Sequence, residues 1–173
     1  MIRVVLTGSE STGKTTLAGR LSKFFNAPLV EEFVRGYAAA KGGELEFSDH
    51  GPIARGQLAL EDDAIAKAPQ LIVQDTDLLS TVVYCDHYFG KAPEWIVEAA
   101  AQRLPDLYLL CEIDIDWVAD GVRDRGHMRE EMQQLFRDAV SASGATWLTI
   151  TGGRDDRFQI AVDAINTLLL EQK

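Results

Sequence analysis

Gly8-Ser9-Glu10-Ser11-Thr12-Gly13-Lys14-Thr15 has the spacing G-x-x-x-x-G-K-[ST] and follows directly on an apolar run, residues 2–7. Glycines at the two ends of such a loop let the backbone curl until successive N–H groups point inward. The unpaired amides of the next helix add to them, so the loop suits phosphate oxygens. Lys14 is then placed to reach the β- and γ-phosphates and the Thr15 hydroxyl to ligate Mg²⁺, which makes ATP and Mg²⁺ the expected cofactors. Ser11, Thr12 and Thr16 are further hydroxyl donors at the rim. Glu10 is the anomaly, since a carboxylate beside a triphosphate is repelled unless it is paired or turned away. It is expected either to pair with Arg35 or with an arginine from a later loop, or to face the acceptor.

Three other groupings could act with this loop. Asp75 closes the apolar run Leu71–Asp75, and Asp77 follows two residues later. A parallel strand delivers its C-terminal residues to the phosphate edge of the sheet, so Asp75 is expected near Lys14 and Thr15 as a metal-side or proton-accepting carboxylate. Asp77 is read as a substrate or metal residue, an N-cap of the next helix, or both. Glu31, Glu32 and Arg35 follow the short run 28–30; a carboxylate there could take a hydroxyl proton as a phosphoryl group is transferred. Finally, Arg123, Arg125 and Arg129 cluster next to Gly121 and Gly126 in an otherwise acidic chain. Arginines over a transferring phosphoryl group stabilise its spread charge, and a closing segment excludes water, so residues 115–129 read as a lid.

The elements that must carry these groups alternate along the chain. Residues 2–7, 28–30, 71–75, 107–113 and 146–150 read as strands, apolar nearly throughout, as strands covered on both faces are. Residues 14–25, 53–68, 78–89, 94–104, 129–143 and 157–172 carry apolar residues at helical spacing. This predicts a three-layer α/β/α P-loop fold, with a five-stranded parallel sheet and helices on both faces, in one domain over residues 1–173.

Composition narrows the function. With 173 residues, 46% hydrophobic content and a net charge of −10, the chain suits one core and lacks the basic footprint that nucleic-acid binding needs. Cys85 and Cys111 sit in apolar sequence outside any metal spacing and read as packed, reduced thiols; His50, His87 and His127 are scattered. No signal peptide or membrane span is visible, so a cytoplasmic protein with a small-molecule partner is expected. A P-loop alone does not give the reaction. The guanine motif of GTPases and the Walker B run of ring-forming motors are both missing, which leaves a small kinase favoured over a regulatory P-loop ATPase without an acceptor.

The loop motif, "EFVR" at 32–35, "DTD" at 75–77 and "WVADGVR" at 117–123 together resemble ribosylnicotinamide kinase domains of the NadR type. These are P-loop small-molecule kinases that shade into AAA-type ATPase-labelled relatives. The resemblance covers essentially the whole chain, in order. It implies transfer of the ATP γ-phosphoryl group to the ribose 5′-hydroxyl of nicotinamide riboside, with nicotinamide mononucleotide as product in NAD salvage. Another nucleoside or small metabolite remains the alternative acceptor. Carried over, Glu32 and Arg35 fall near the acceptor, Asp75 and Asp77 at the metal and ribose, and Asp120 and Arg123 at the lid. The pyridinium ring of the riboside is a flat cation, and Tyr84, Tyr88, Trp95 and Trp117 are candidate aromatic faces for it. Arg125 is expected on the nucleotide, and Arg154 or Arg157 on the adenine base.

Overall fold

The structure is a computed structural model that describes residues 1–115 and 128–171. The elements run β1 (Ile2–Thr7), α1 (Lys14–Phe25), β2 (Leu29–Val30), α2 (Phe33–Lys41), a short 3₁₀ turn (Phe47–Asp49), α3 (His50–Ile65) and β3 (Leu71–Asp75). They continue as α4 (Leu78–Phe89), α5 (Glu94–Gln102), β4 (Leu107–Cys111), α6 (Arg129–Ser143), β5 (Trp147–Ile150) and α7 (Arg154–Glu171). All five strands are parallel, in the order β2-β3-β1-β4-β5. The order reverses at β1, so the loop leaving β1 opens at a topological switch point, where open α/β sheets bind ligands.

Strand alternation assigns each residue to a layer. Ile2, Val4 and Leu6 of β1, with Leu71, Val73, Leu107, Leu109 and Ile150, face α1 and α7 and pack on Leu17, Leu21, Ala161 and Ile165. The opposite face is covered by α3 to α6, with Val5 and Tyr108 against Val140, Leu110 against Phe136, and Ile72 against Ala64. β1, β3 and β4 are almost wholly buried, which explains why their sequences show no polar alternation.

Two expectations shift. β4 ends at Cys111 rather than at residue 113, because Glu112 begins the turn that meets α7. Residues 33–41, which the sequence placed in no strand or helix, form α2, whose residues are all at least partly exposed. A nine-residue helix with no buried stripe leaves little periodicity to read.

Candidate active site

The loop between β1 and α1 is curled by three residues in the left-handed region, Gly8 (φ 125°), Ser11 (φ 54°) and Gly13 (φ 79°). Gly8 has a second constraint: a β-carbon there would sit 2.7 Å from the Cys111 carbonyl oxygen. Gly13 is the N-cap of α1 and offers no side-chain cap, and the first turn of α1 contains no acid. The first-turn amides of α1 and its positive dipole end therefore face the loop uncompensated by a carboxylate. Lys14 is buried and folds over the loop, its Nζ donating to the carbonyls of Gly8 (2.9 Å) and Ser9 (2.7 Å). The Thr12 hydroxyl donates to the Ser9 carbonyl, and Thr15 and Thr16 are exposed at the rim.

Three neighbouring side chains meet this loop. Asp75 ends β3 opposite Leu6 of β1, on the α1 side of the sheet, and is 3% exposed. Burial pushes its carboxyl above the usual range; the Thr15 hydroxyl draws it down, Glu32 raises it, and Lys14 and Arg35 lower it. Thr15, Glu32, Lys14 and Arg35 thus all bear on the Asp75 carboxyl. The Asp75 Oδ1 atom is buried and has no hydrogen-bond partner. Arg35, on the first turn of α2, donates to Glu32 (3.1 Å) and to Thr15 Oγ1 (3.4 Å). Arg35 thus pairs with Glu32, three residues away on the same turn. Phe33 N–H, at the start of α2, is taken by Gln57 Oε1 from α3 (3.0 Å), which fixes the backbone beside Glu32.

Asp77 needs correction. It lies two residues from Asp75 but faces the other layer, because Thr76 takes a left-handed conformation (φ 72°) and its N–H is held by Leu6 O at 3.0 Å. The Asp77 carboxylate caps α4 through Leu79 N–H (3.1 Å) and accepts the Tyr108 hydroxyl (2.6 Å). Both oxygens are thus engaged away from the loop, so of the readings the sequence left open the structure carries the N-cap. Around it lies a buried polar network: Arg3 donates to Gln74 Oε1 and to Glu61, and Arg103 also reaches Glu61. Burial, reinforced by the Asp77 charge, pushes the Glu61 carboxyl up to about 7.

Arg157 also differs from its expected place on the base. It is 4% exposed and turned inward, with Nε on Gly152 O (2.8 Å), Nη1 on Thr12 O (3.0 Å), and Nη2 on Glu112 O and the Asp114 carboxylate. Arg154 at the start of α7 is exposed. On α4, the Tyr84 and Tyr88 rings are parallel within 6° at 6.3 Å; Tyr84 also meets Phe136 edge-on in the core, and Tyr88 is exposed. Trp95 on α5 is covered by the Arg55 guanidinium at 5.0 Å. Trp117, Asp120, Arg123, Arg125 and most of the 115–129 lid lie outside the described residues.

Sequence reasoning missed Gln133 of α6, which accepts Ser9 N–H (3.0 Å) and donates to Cys111 O (3.1 Å), tying the loop to the end of β4. Nothing in a buried glutamine's local sequence signals such a link. No group of three His, Cys, Asp or Glu residues fit to hold a metal occurs among the described residues, and none of their helices is long and apolar enough to cross a membrane.

The 2-3-1-4-5 parallel sheet and the phosphate-type loop at its switch point, with acids from two neighbouring strand ends, define a P-loop kinase fold. The chain belongs to the AAA domain family, whose model matches residues 3–157. It is 30% identical over 177 residues to the Trifunctional NAD biosynthesis/regulator protein NadR of Escherichia coli (strain K12), covering 98% of this chain and 43% of that protein. Its likeness to NadR of Salmonella typhimurium is the same, 30% over 176 residues with 98% and 43% covered. This chain thus spans less than half the length of those curated relatives. Among solved structures, it matches a NadR protein in complex with NR (TM-score 0.79, 26% identity, 96% of this chain and 51% of that one). It also matches a NadR protein in complex with NAD and AMP-PNP (TM-score 0.75, 26% identity, 96% and 49%). A thymidylate kinase from Ehrlichia chaffeensis shares the fold (TM-score 0.67, 16% identity, 96% and 98%).

Proposed function

We propose that this chain is a single P-loop kinase domain that transfers the γ-phosphoryl group of ATP to the 5′-hydroxyl of nicotinamide riboside, giving nicotinamide mononucleotide and ADP. The observation that carries the reading is the convergence of Lys14, Thr15, Asp75, Glu32 and Arg35 at the loop after β1. Support for the acceptor comes from the similarity to NadR proteins, one of them solved with NR.

In this reading the loop amides and the α1 N-terminus hold the phosphates, and Lys14 neutralises charge between the β- and γ-groups. The residues fit a small, hard cation: Asp75 has a buried oxygen without a partner, and the Thr15 hydroxyl lies beside it. Mg²⁺ held there would screen the triphosphate charge. Glu32, oriented by Arg35, accepts the 5′-hydroxyl proton as the new O–P bond forms and the bond from the γ-phosphorus to the ADP oxygen breaks. Nicotinamide riboside is a cation, and the acidic chain favours its approach; the Tyr84–Tyr88 pair presents aromatic faces on the helix that follows Asp75.

The test is ADP release, followed by a coupled assay with MgATP and a panel of nucleosides. Strong stimulation by nicotinamide riboside alone is expected. Stimulation by a different nucleoside would reassign the acceptor, and slow hydrolysis indifferent to every nucleoside would replace the kinase with a regulatory ATPase.

A further inference from the structure

In a planar trans peptide the C=O and the following N–H point in opposite directions, so whatever holds one carbonyl aims the next amide. Two arginines hold consecutive carbonyls of the loop. Arg129 Nη2 donates to Ser11 O (3.1 Å), and Arg157 Nη1 donates to Thr12 O (3.0 Å). The N–H groups of Thr12 and Gly13 are thereby directed to the side away from the two guanidinium groups. Neither arginine is loosely placed. Arg129, the first residue of α6, also donates to Ile115 O (3.0 Å). Arg157 is buried and spans the loop, the end of β4 and the turn before α7. A guanidinium is suited to this work because its rigid fork reaches several carbonyls at once, which an ammonium cannot do.

We propose that Arg129 and Arg157 are positioning residues for ATP: they fix two successive carbonyls on the outside of the loop so that the Thr12 and Gly13 amides face the triphosphate. The proposal rests on the ATP reading of the loop and assigns these arginines to the phosphates rather than to the adenine. It extends the site to α6 and α7, neither of which carries part of the loop motif.

Isothermal titration of the full chain with three probes (ATP, inorganic triphosphate and adenosine) tests it. Arg129→Gln and Arg157→Lys are expected to weaken ATP and triphosphate by about tenfold, the scale of one charge-assisted hydrogen bond, with adenosine affinity unchanged. A merely structural loss would lower the melting temperature without changing the ratio of triphosphate to adenosine affinity. If both folded variants keep ATP and triphosphate within twofold of wild type, the proposal is overturned. It is equally overturned if Arg157→Lys loses adenosine and ATP but not triphosphate, since that is the signature of stacking on the base. Should Arg157→Lys fail to fold, Arg129→Gln alone decides. Wild type that binds neither ATP nor triphosphate removes the nucleotide reading itself, whereas failure of nicotinamide riboside as acceptor leaves this result standing.

Discussion

Gly8→Ala is the sharpest perturbation of the loop. The residue sits at φ 125°, a conformation that side chains rarely adopt, and the new β-carbon would lie 2.7 Å from Cys111 O and 3.3 Å from Gln133 Oε1. Neither neighbour can yield easily. The Cys111 carbonyl ends a wholly buried strand and is held by Gln133 Nε2, whose own Oε1 holds Ser9 N–H. Backbone strain of about 1–3 kcal/mol adds to a packing penalty of similar size. For a chain of this length the two correspond to a fall in melting temperature of roughly 10 °C. Gly144→Ala is the control: it also has positive φ (79°), but no atom lies within 4 Å of its β-carbon. It should lose only about 1–2 kcal/mol of stability, from backbone strain alone. Differential scanning calorimetry with and without MgATP reads both effects. Gly8→Ala should melt well below Gly144→Ala and lose most of the MgATP stabilisation, which Gly144→Ala keeps. Equal melting temperatures and equal MgATP shifts would refute the claim that the loop is seated against the end of β4.

Further outcomes follow from the same geometry. Asp75→Asn should lower kcat at least a hundredfold, with adenosine binding intact, when initial rates and titrations are compared; a loss below tenfold would remove Asp75 from the reacting centre. Lys14→Ala should weaken ATP binding while leaving nicotinamide riboside affinity unchanged, which parallel titrations can separate. Glu61 gives a pH effect on stability. Its carboxyl is raised from 4.5 to about 7 in the fold, so between those values the unfolded chain releases a proton that the folded chain keeps. Its contribution is present below pH 4.5 and is lost as pH rises through 7, by at most about 3 kcal/mol. Urea melts from pH 4.5 to 8 should show that decline in wild type and a flatter profile in Glu61→Gln; an unchanged slope would contradict the burial argument.

The loop, the parallel sheet and the position of Asp75 were legible in the sequence because each rests on local constraint. Glycine spacing limits the backbone, and an apolar run ending in an acid reads as a strand that delivers a carboxylate to the edge of the sheet. Asp77 was ambiguous because Thr76, which has no intrinsic preference for positive φ, decides which layer its neighbour faces. Arg157 was expected on the base because its acceptors, Thr12, Glu112 and Gly152, are backbone carbonyls brought together only by the fold. Gln133 and Gln57 were invisible for the same reason. Helix α2 escaped notice because it buries no residue fully and so carries no stripe.

The central claim is that groups meeting at the loop after β1 pass a phosphoryl group to a bound nucleoside rather than to water. Incubation with γ-³²P-labelled ATP, Mg²⁺ and nicotinamide riboside, followed by separation of the products, tests it directly. Label in nicotinamide mononucleotide, equimolar with ADP, is the result the account requires. Label found solely in inorganic phosphate, at a rate the riboside does not change, would contradict it.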